Sequence, residues 1–501
     1  MLICRLIYTE ISVILQEQKT GEKSMRDTPF IGREVEMERL KGLLNKKSAS
    51  LIVVRGRRRI GKSRLLAEFG KGMKSLFFSG NPPVSGTTAQ SQRELFANQL
   101  QRAGIPGIKP DNWGNLFWHL SKHTQEGEML IVFDEISWMG GKDPFFLGQL
   151  KTAWDMHFSK NPKLIIALCG SISSWIEKNI LSSTGFVGRI TIDFVLEELP
   201  LHACSGFWHP KEKRISAYEK FKLLSITGGV PLYLEQIKPS MSAEQNIRDL
   251  CFTQGGLLVR EFDAVFSDLF SKTKGIHKKI VTCLANGPKE LMQICKELQK
   301  SQGGLYSRYL DELVKAGFVK RDFIWDLKNG QQRKISRYRL SDNYLRFYLK
   351  YITSNLVKIE KGTVPASMLN NLPGWEGIMG LQFENLVVHN FKALWKILNL
   401  SGEDVIMDGP FFQTSTIRQP GCQIDYMIQT RFHTLYICEV KFSKNPVGTK
   451  IIEEMEEKIK RLKVPKRFSM RPVLVHVNGV EDAVLDQGYF DKVIDFGQLL
   501  E

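Results

Sequence analysis

Between Pro29 and about Pro200 the chain alternates short apolar runs with stretches of helical periodicity. Ser50–Val54, Met129–Phe133 and Leu164–Cys169 are near-continuously apolar, the pattern of strands buried on both faces. Such strands, separated by helices, predict a parallel α/β sheet. From Leu201 to about Phe270 the periodicity is helical, with Trp208, Phe221, Leu224, Tyr233 and Leu250 as expected packing residues. Lys272 to about Leu345 reads as three short helices (Ile276–Leu284, Leu291–Leu298, Leu305–Ala316), then a hairpin turned by Asn329-Gly330. The stretch from Ile359 to Pro373 reads as a linker, carrying Gly362, Pro365 and the Asn370-Asn371 pair. From Trp375 a second α/β unit follows: helix, several strands, helix, strand. The predicted division is an extension (1–25), an α/β domain (26–200), a helical segment (201–270), a three-helix-and-hairpin segment (271–350), a linker (351–374) and the second α/β domain (375–501). Met25 just ahead of the first domain makes 1–24 either a loose extension or a mis-assigned start.

Composition narrows the class. The 501 residues predict about three domains, each able to hold its own core. With 43% hydrophobic and 25% charged residues, a collagenous or mainly disordered chain is excluded. No apolar run reaches the ~20 residues of a membrane helix. The opening stretch carries Arg5 and Glu10 and lacks the layout of a signal peptide. The 8 cysteines lie far apart without a Cys-x-x-Cys, which fits a reducing, cytoplasmic setting and argues against a zinc ribbon. His119 and His123 share a helix face but lack the Glu of a His-Glu-x-x-His metal site, and read as solvated. A net charge of +17 favours a polyanionic partner, nucleic acid foremost.

The strongest local signal is Gly56-Arg57-Arg58-Arg59-Ile60-Gly61-Lys62-Ser63, which follows an apolar run and precedes the helical Arg64-Leu65-Leu66. This is Gly-x-x-x-x-Gly-Lys-Ser in its strand-then-helix context. Glycines let the backbone curl so that its N–H groups face phosphate oxygens, and the helix N-terminus adds positive potential. Lys62 is placed to reach the β- and γ-phosphates of ATP, and Ser63 to ligate Mg²⁺. The apolar run from Met129 ends in Asp134-Glu135; beside such a loop, an acid at the strand end can hold Mg²⁺ through its waters and the next can align the attacking water.

With these motifs in hand, the chain resembles the AAA+/STAND-type P-loop ATPases, in particular the prokaryotic branch that joins such an ATPase to a C-terminal nuclease-like domain. The resemblance spans roughly Phe30 to the end. Phe30-Ile31-Gly32-Arg33-Glu34 matches the family's opening motif near the adenine. Ser171, ending Leu168-Cys169-Gly170, falls at the polar γ-phosphate sensor. Gly188-Arg189 falls where the family carries a finger or sensor arginine; acting in trans it would require an oligomer, acting in cis a monomer. Thr227-Gly228-Gly229-Val230-Pro231 resembles the Gly-x-Pro turn of the lid, which implies that Gly229 and Pro231 sit by the base, and makes 201–270 the lid. The three loop arginines occupy free positions and are expected to face solvent or acids of a neighbouring domain.

The three helices and hairpin resemble a winged helix. Ser307 and Arg308 would enter a major groove, while Lys328, Arg333, Lys334, Arg337 and Arg339 of the wing suit phosphate contacts. A rigid spacer packed on the nucleotide domain is the alternative. In the last domain, Glu384 lies in a helical stretch, Asp425 in the alternating Cys422–Ile428 run, and Glu439 and Lys441 two apart in a third, strand-like run, hence on one face. Two carboxylates and an amine at one point can hold Mg²⁺ and orient water against a phosphodiester. The order resembles the Asp…Glu-x-Lys pattern of restriction-endonuclease-like nucleases, with Glu384 as a further metal-holding acid. Glu456-Glu457-Lys458 also fits Glu-x-Lys, but lies in a charged helical run that either lines DNA or is solvated.

The sequence thus points to an ATP- and Mg²⁺-dependent α/β ATPase that couples nucleotide state to a DNA-binding or DNA-cleaving domain. The alternatives are a regulatory switch whose C-terminal fold is an inactive binding module, and a transcription regulator using the winged helix.

Overall fold

Five strands joined by helices give a parallel sheet: β1 (Ser50–Gly56), β2 (Lys74–Ser79), β3 (Met129–Asp134), β4 (Leu164–Ser171) and β5 (Ile190–Leu196), in the order β2-β3-β4-β1-β5. The computed structural model describes residues 29–500 apart from 172–173, 209–214, 270–272, 302 and 418. All four pairings are parallel, and Gly56 stands level with Ser171 on one side and Leu196 on the other. The strand ends carrying the loop, the acids and the serine therefore share one edge, where open α/β sheets receive ligands. One face is fixed by an aromatic cluster: Phe96 meets Phe78 at 4.7 Å and Trp113 at 5.3 Å, and Trp113 meets Phe146 at 4.8 Å.

Helix α1 (Lys62–Phe69) leaves the loop after β1. After β5 the chain turns helical: α2 (Ala217–Thr227), capped by the Ser216 hydroxyl, then α3 (Pro231–Leu234) and α4 (Leu257–Leu269). Three further helices, α5 (Lys274–Leu284), α6 (Leu291–Glu297) and α7 (Gly304–Lys315), precede the hairpin of β6 (Val319–Trp325) and β7 (Gln332–Leu340). Next come α8 (Asn343–Phe347) and α9 (Trp375–His389). The segment between them is packed rather than loose: it carries short helical turns, buries Leu372, and accepts the Tyr351 hydroxyl on the Pro373 carbonyl at 3.1 Å. The second sheet comprises β8 (Val405–Gln413), β9 (Cys422–Thr430), β10 (Thr434–Val440), β11 (Ser469–His476) and β12 (Lys492–Asp495), in the order β12-β11-β10-β9-β8. β8, β9 and β10 pair antiparallel, the rest parallel, and α10 (Lys450–Arg461) connects β10 to β11.

Beyond the first sheet much of the apolar packing is shared across the helices and the second sheet, which also holds smaller clusters of its own around Met427 and Leu474. One apolar core runs from Leu199 through the helices to Leu500, and Phe383 of α9 packs on Phe221 of α2 at 5.2 Å and on Phe496 at 6.0 Å. The hairpin tip lies on the second sheet. Trp325 Nε1 donates to Gln429 Oε1 at 2.8 Å, Gln429 Nε2 donates to the Leu327 carbonyl at 3.1 Å, and Arg467 donates to the Lys328 carbonyl at 2.9 Å. The basic residues expected to meet phosphate are largely engaged. Buried Arg339 pairs with Asp322 at 2.8 Å, Arg337 lies 3.9 Å over the Phe412 ring, and Arg333 pairs with Asp326 at 2.6 Å, leaving Lys328 and Lys334 exposed. The hairpin tip is thus engaged by the second sheet, while Arg308 of α7 is exposed along with Lys328 and Lys334. The helix carrying His119 ends at Ser121, short of His123, and His119 Nε2 lies 2.7 Å from the Pro106 carbonyl. Among the described residues no helix is long and apolar enough to cross a membrane.

Candidate functional site

The loop after β1 is curled by two left-handed residues, Arg59 (φ 69°) and Gly61 (φ 89°). Successive N–H groups in such a curve turn inward and form an anion-binding concavity at the start of α1. Gly56 is demanded by packing, since a Cβ there would stand 2.7 Å from the Leu196 carbonyl oxygen and 2.9 Å from Ile60. Lys62, buried, bends back and donates to the carbonyls of Gly56 and Arg57, both at 3.2 Å. Its ammonium is thus held over the concavity. Ser63 donates its hydroxyl to Asp134 Oδ2 at 2.8 Å, a hydroxyl and a carboxylate converging from α1 and β3 as a hydrated Mg²⁺ requires. Arg64, on the same turn, is exposed.

Glu135 follows in the left-handed conformation (φ 51°) with one carboxylate oxygen buried and without a hydrogen-bond partner. Burial raises its pKa; Lys62 opposes this and Asp134 reinforces it. Ser171 ends β4 between β1 and β3, nearly buried, level with Gly56. Gly229 and Pro231 are drawn to the loop as well: the Leu199 N–H donates to the Gly229 carbonyl at 2.8 Å, and a Cβ on Gly61 would meet Pro231 at 3.8 Å. Arg33 of the opening motif clasps the loop from outside, donating to the carbonyls of Ile60 at 3.2 Å and Glu197 at 2.6 Å. Arg189 is not brought in. It precedes β5, at the sheet end opposite the loop, and its guanidinium takes both oxygens of Asp155 at 2.7 and 2.9 Å, holding that carboxyl at about 2. A role in the same chain's phosphate site is therefore corrected: parallel strands put Arg189 just ahead of the amino end of β5, seven residues before Leu196.

Two of the loop arginines find acids beyond the first sheet. Buried Arg57 Nη1 lies 2.6 Å from Asp342 Oδ2 and 3.2 Å from Glu198 Oε1. Arg59 Nε lies 3.2 Å from buried Glu261 of α4. Arg58 is largely shielded, and that burial, with Arg59 beside it, lowers its pKa. Asp342 also caps α8, accepting from the Leu345 N–H at 2.9 Å. From there polar contacts continue through the interior. Asn343 donates to the Gln382 carbonyl at 3.1 Å, and buried Arg346 donates to Gln382 Oε1 at 2.7 Å. Asn385 donates to Asn343 Oδ1 at 3.0 Å and accepts from Arg339. Gln382 and Asn385 flank Glu384 on α9. The Arg346 charge, set between Asp342 and Glu384, has its pKa pushed down to about 10, chiefly by burial.

In the second sheet, the β9–β10 pairing places Asp425 beside Glu439. Asp425 Oδ2 accepts from the Val440 N–H at 2.9 Å. Lys441 lies 3.1 Å from Glu439 Oε1 and 3.0 Å from Glu454 Oε2. Lys458 of α10 bonds the other Glu439 oxygen and stands 3.6 Å from Asp425 Oδ1. Asp425 and Glu439 thus address one point, at present served by an ammonium. Burial and the Glu439 charge raise Asp425 to about 6. Glu384 lines a small recess with Asp425 and rises to about 8 through burial and the Asp425 charge. Among the described residues no three His, Cys, Asp or Glu side chains are gathered as a metal cage. Glu384 shares its recess with Asp425, but Glu384, Asp425 and Glu439 are not gathered as one three-carboxylate group. Two carboxylates still suit Mg²⁺, which keeps most of its waters and takes one or two protein carboxylates. Lys458, Glu454, Asp342 and Arg346 were not picked out as site residues by sequence reasoning. Only Lys458 carried a trace, its Glu-x-Lys spacing on a charged helix.

The front sheet with its loop and acid pair makes a P-loop ATPase core. No protein-family model matches the chain. An uncharacterized protein of Methanocaldococcus jannaschii is 27% identical over 337 residues, spanning 66% of this chain and 71% of that protein. Among solved structures, a Walker-type ATPase of Pyrococcus abyssi is similar with a TM-score of 0.46 and 16% identity, over 66% of this chain and 99% of that one. The ORC2 protein of Aeropyrum pernix, in ADPNP and ADP complexes, is similar with a TM-score of 0.40 and 13% identity, over 68% of this chain and 98% of that one.

Proposed function

We propose that the protein is an ATP-hydrolysing switch of the AAA+/STAND type whose nucleotide state governs a winged-helix segment and a Mg²⁺-dependent, phosphodiester-cleaving C-terminal domain acting on DNA. The observation that carries the cleavage is the convergence of Asp425 and Glu439, from adjacent antiparallel strands, with Lys441 two residues on. A divalent ion there supplies Lewis acidity and a water of lowered pKa. The chain's own groups do the rest: the carboxylates fix position, and Lys441, steadied by Glu454, stabilises charge developing on the phosphate. At the front, the loop amides and Lys62 hold the triphosphate, Ser63 and Asp134 frame the Mg²⁺ position, Glu135 accepts the proton of water, and Ser171 reads the terminal phosphate.

A nuclease assay on single- and double-stranded DNA, with and without ATP, beside Asp425→Asn, tests this. Cleavage that requires Mg²⁺ and Asp425 is expected, with ATPase activity spared in the variant. A chain that hydrolyses ATP and cuts nothing in Mg²⁺ or Mn²⁺ leaves the second reading, a regulatory switch with a binding module at its C-terminus. The observation favouring that reading is the Lys458 ammonium seated on both carboxylates.

A further inference from the structure

We propose that Lys458 is an exchangeable counter-cation: it holds Asp425 and Glu439 together in the ion-free chain and, when a divalent ion takes the carboxylates, moves into the adjoining cavity as a phosphate-binding group for the DNA backbone. The inference rests on the phosphodiester-cleaving reading of the C-terminal site. Its ground is a linear alternation of charge: Glu454, Lys441, Glu439, Lys458, Asp425, each touching the next. Three carboxylates face two ammonium groups, so the row carries one net negative charge while Lys458 is seated and two once it leaves. Lys441 contacts Glu439 Oε1 and Glu454, so it can keep Glu454 when Glu439 is recruited. Lys458 has no such second anchor, since both its partners are the carboxylates an ion would use.

The side chain has somewhere to go. A cavity of about 220 Å³ opens beside it, lined by Gln423, Asp425, Glu457, Lys458 and Arg461. Lys458 and Arg461 are three apart on α10 and so share a face. A phosphodiester entering this cavity would meet Lys458 and Arg461 of one helix on one side and Asp425 on the other. Arg461 is already bound to Glu457 at 2.8 Å, an exposed pair of small energy that a phosphate can displace.

The test uses the full chain without nucleotide. Mn²⁺ binding is measured by titration calorimetry, with Asp425→Asn subtracted to isolate this site. Duplex DNA affinity is measured in Ca²⁺. In Lys458→Gln, Mn²⁺ should bind about tenfold tighter, the scale on which neighbours tune metal sites. DNA in Ca²⁺ should bind about tenfold more weakly, as expected for one lost phosphate contact. Lys458→Arg should keep most of the DNA affinity. Unchanged Mn²⁺ affinity in Lys458→Gln overturns the counter-cation role, and unchanged DNA affinity overturns the phosphate role. Neither readout depends on turnover, so a wild-type chain that binds in this way but cleaves nothing sinks the nuclease reading alone.

Discussion

Glu135 keeps one carboxylate oxygen away from water and from any donor, next to the Lys62 ammonium. An acid so placed retains a raised proton affinity, the property wanted in a base that takes a proton from water. Glu135→Gln keeps shape and burial but loses the basic site. ATP affinity should stay within about twofold while turnover falls about 100- to 1,000-fold, read by nucleotide binding beside steady-state phosphate release. His389 makes the opposite statement about protons. Its ring is only half-buried and Glu198 stands 3.9 Å from Nδ1, yet loss of solvent, with Arg339 and Lys320 nearby, lowers its pKa to about 3 from the usual 6.5. The unfolded chain therefore takes up a proton below about pH 6.5 that the folded chain refuses until about pH 3, and stability drains away across that window as pH falls. In His389→Gln the drop in urea midpoint between about pH 7 and about pH 4.5 should be smaller than in the wild type.

At the level of elements, helices and strands were largely legible because burial imposes a period on side-chain type. Val53, Ile131 and Ile166 sit in fully apolar runs and end at zero exposure. Leu310 and Leu313 mark the buried face of α7 at helical spacing. What a hairpin leans on leaves no such periodic trace. Asn329-Gly330 announces the turn, yet nothing local says that Trp325 will find Gln429 a hundred residues on, or that Arg337 will lie over Phe412 rather than face solvent. The basic run therefore read as a phosphate surface. The same limit hid Lys458, whose helix looks merely charged until β9 and β10 are set beneath it. Gly330 shows how close the docking is: its φ is 70° and an added methyl would overlap Ile406 of β8. Gly330→Ala should lower stability by about 1–3 kcal/mol in chemical denaturation, from strain and overlap together.

Across the whole molecule, the phosphate loop and the second sheet are joined by buried polar groups. Arg57 binds Asp342, Asp342 caps α8, and α8 grips α9 on both sides of Glu384 through Asn343, Arg346, Gln382 and Asn385. Arg57 is the contact through which a movement of the loop would reach α8 and α9. Asp342→Asn removes the charge and keeps the volume. It should cost about 3 kcal/mol, the scale for losing one member of a buried ion pair. ATP should still bind, but the ratio of DNA cleavage with and without ATP should fall to about one. An unchanged ratio would place the coupling elsewhere. The loop motif was legible in the sequence; the contacts leading from it were not, because Asp342 in Ser341-Asp342-Asn343 looks like any helix cap.

The core shared by Leu199, Phe221, Phe383 and Phe496 also sets an order of events during translation. The first sheet closes on its own aromatic cluster and can mature while the chain is still short. The helices after Leu201 cannot, because part of their apolar lining lies beyond Ile494. At about 5–20 residues per second, the ribosome needs tens of seconds to deliver it. Until then the apolar faces of these helices lack the partners that cover them in the finished fold.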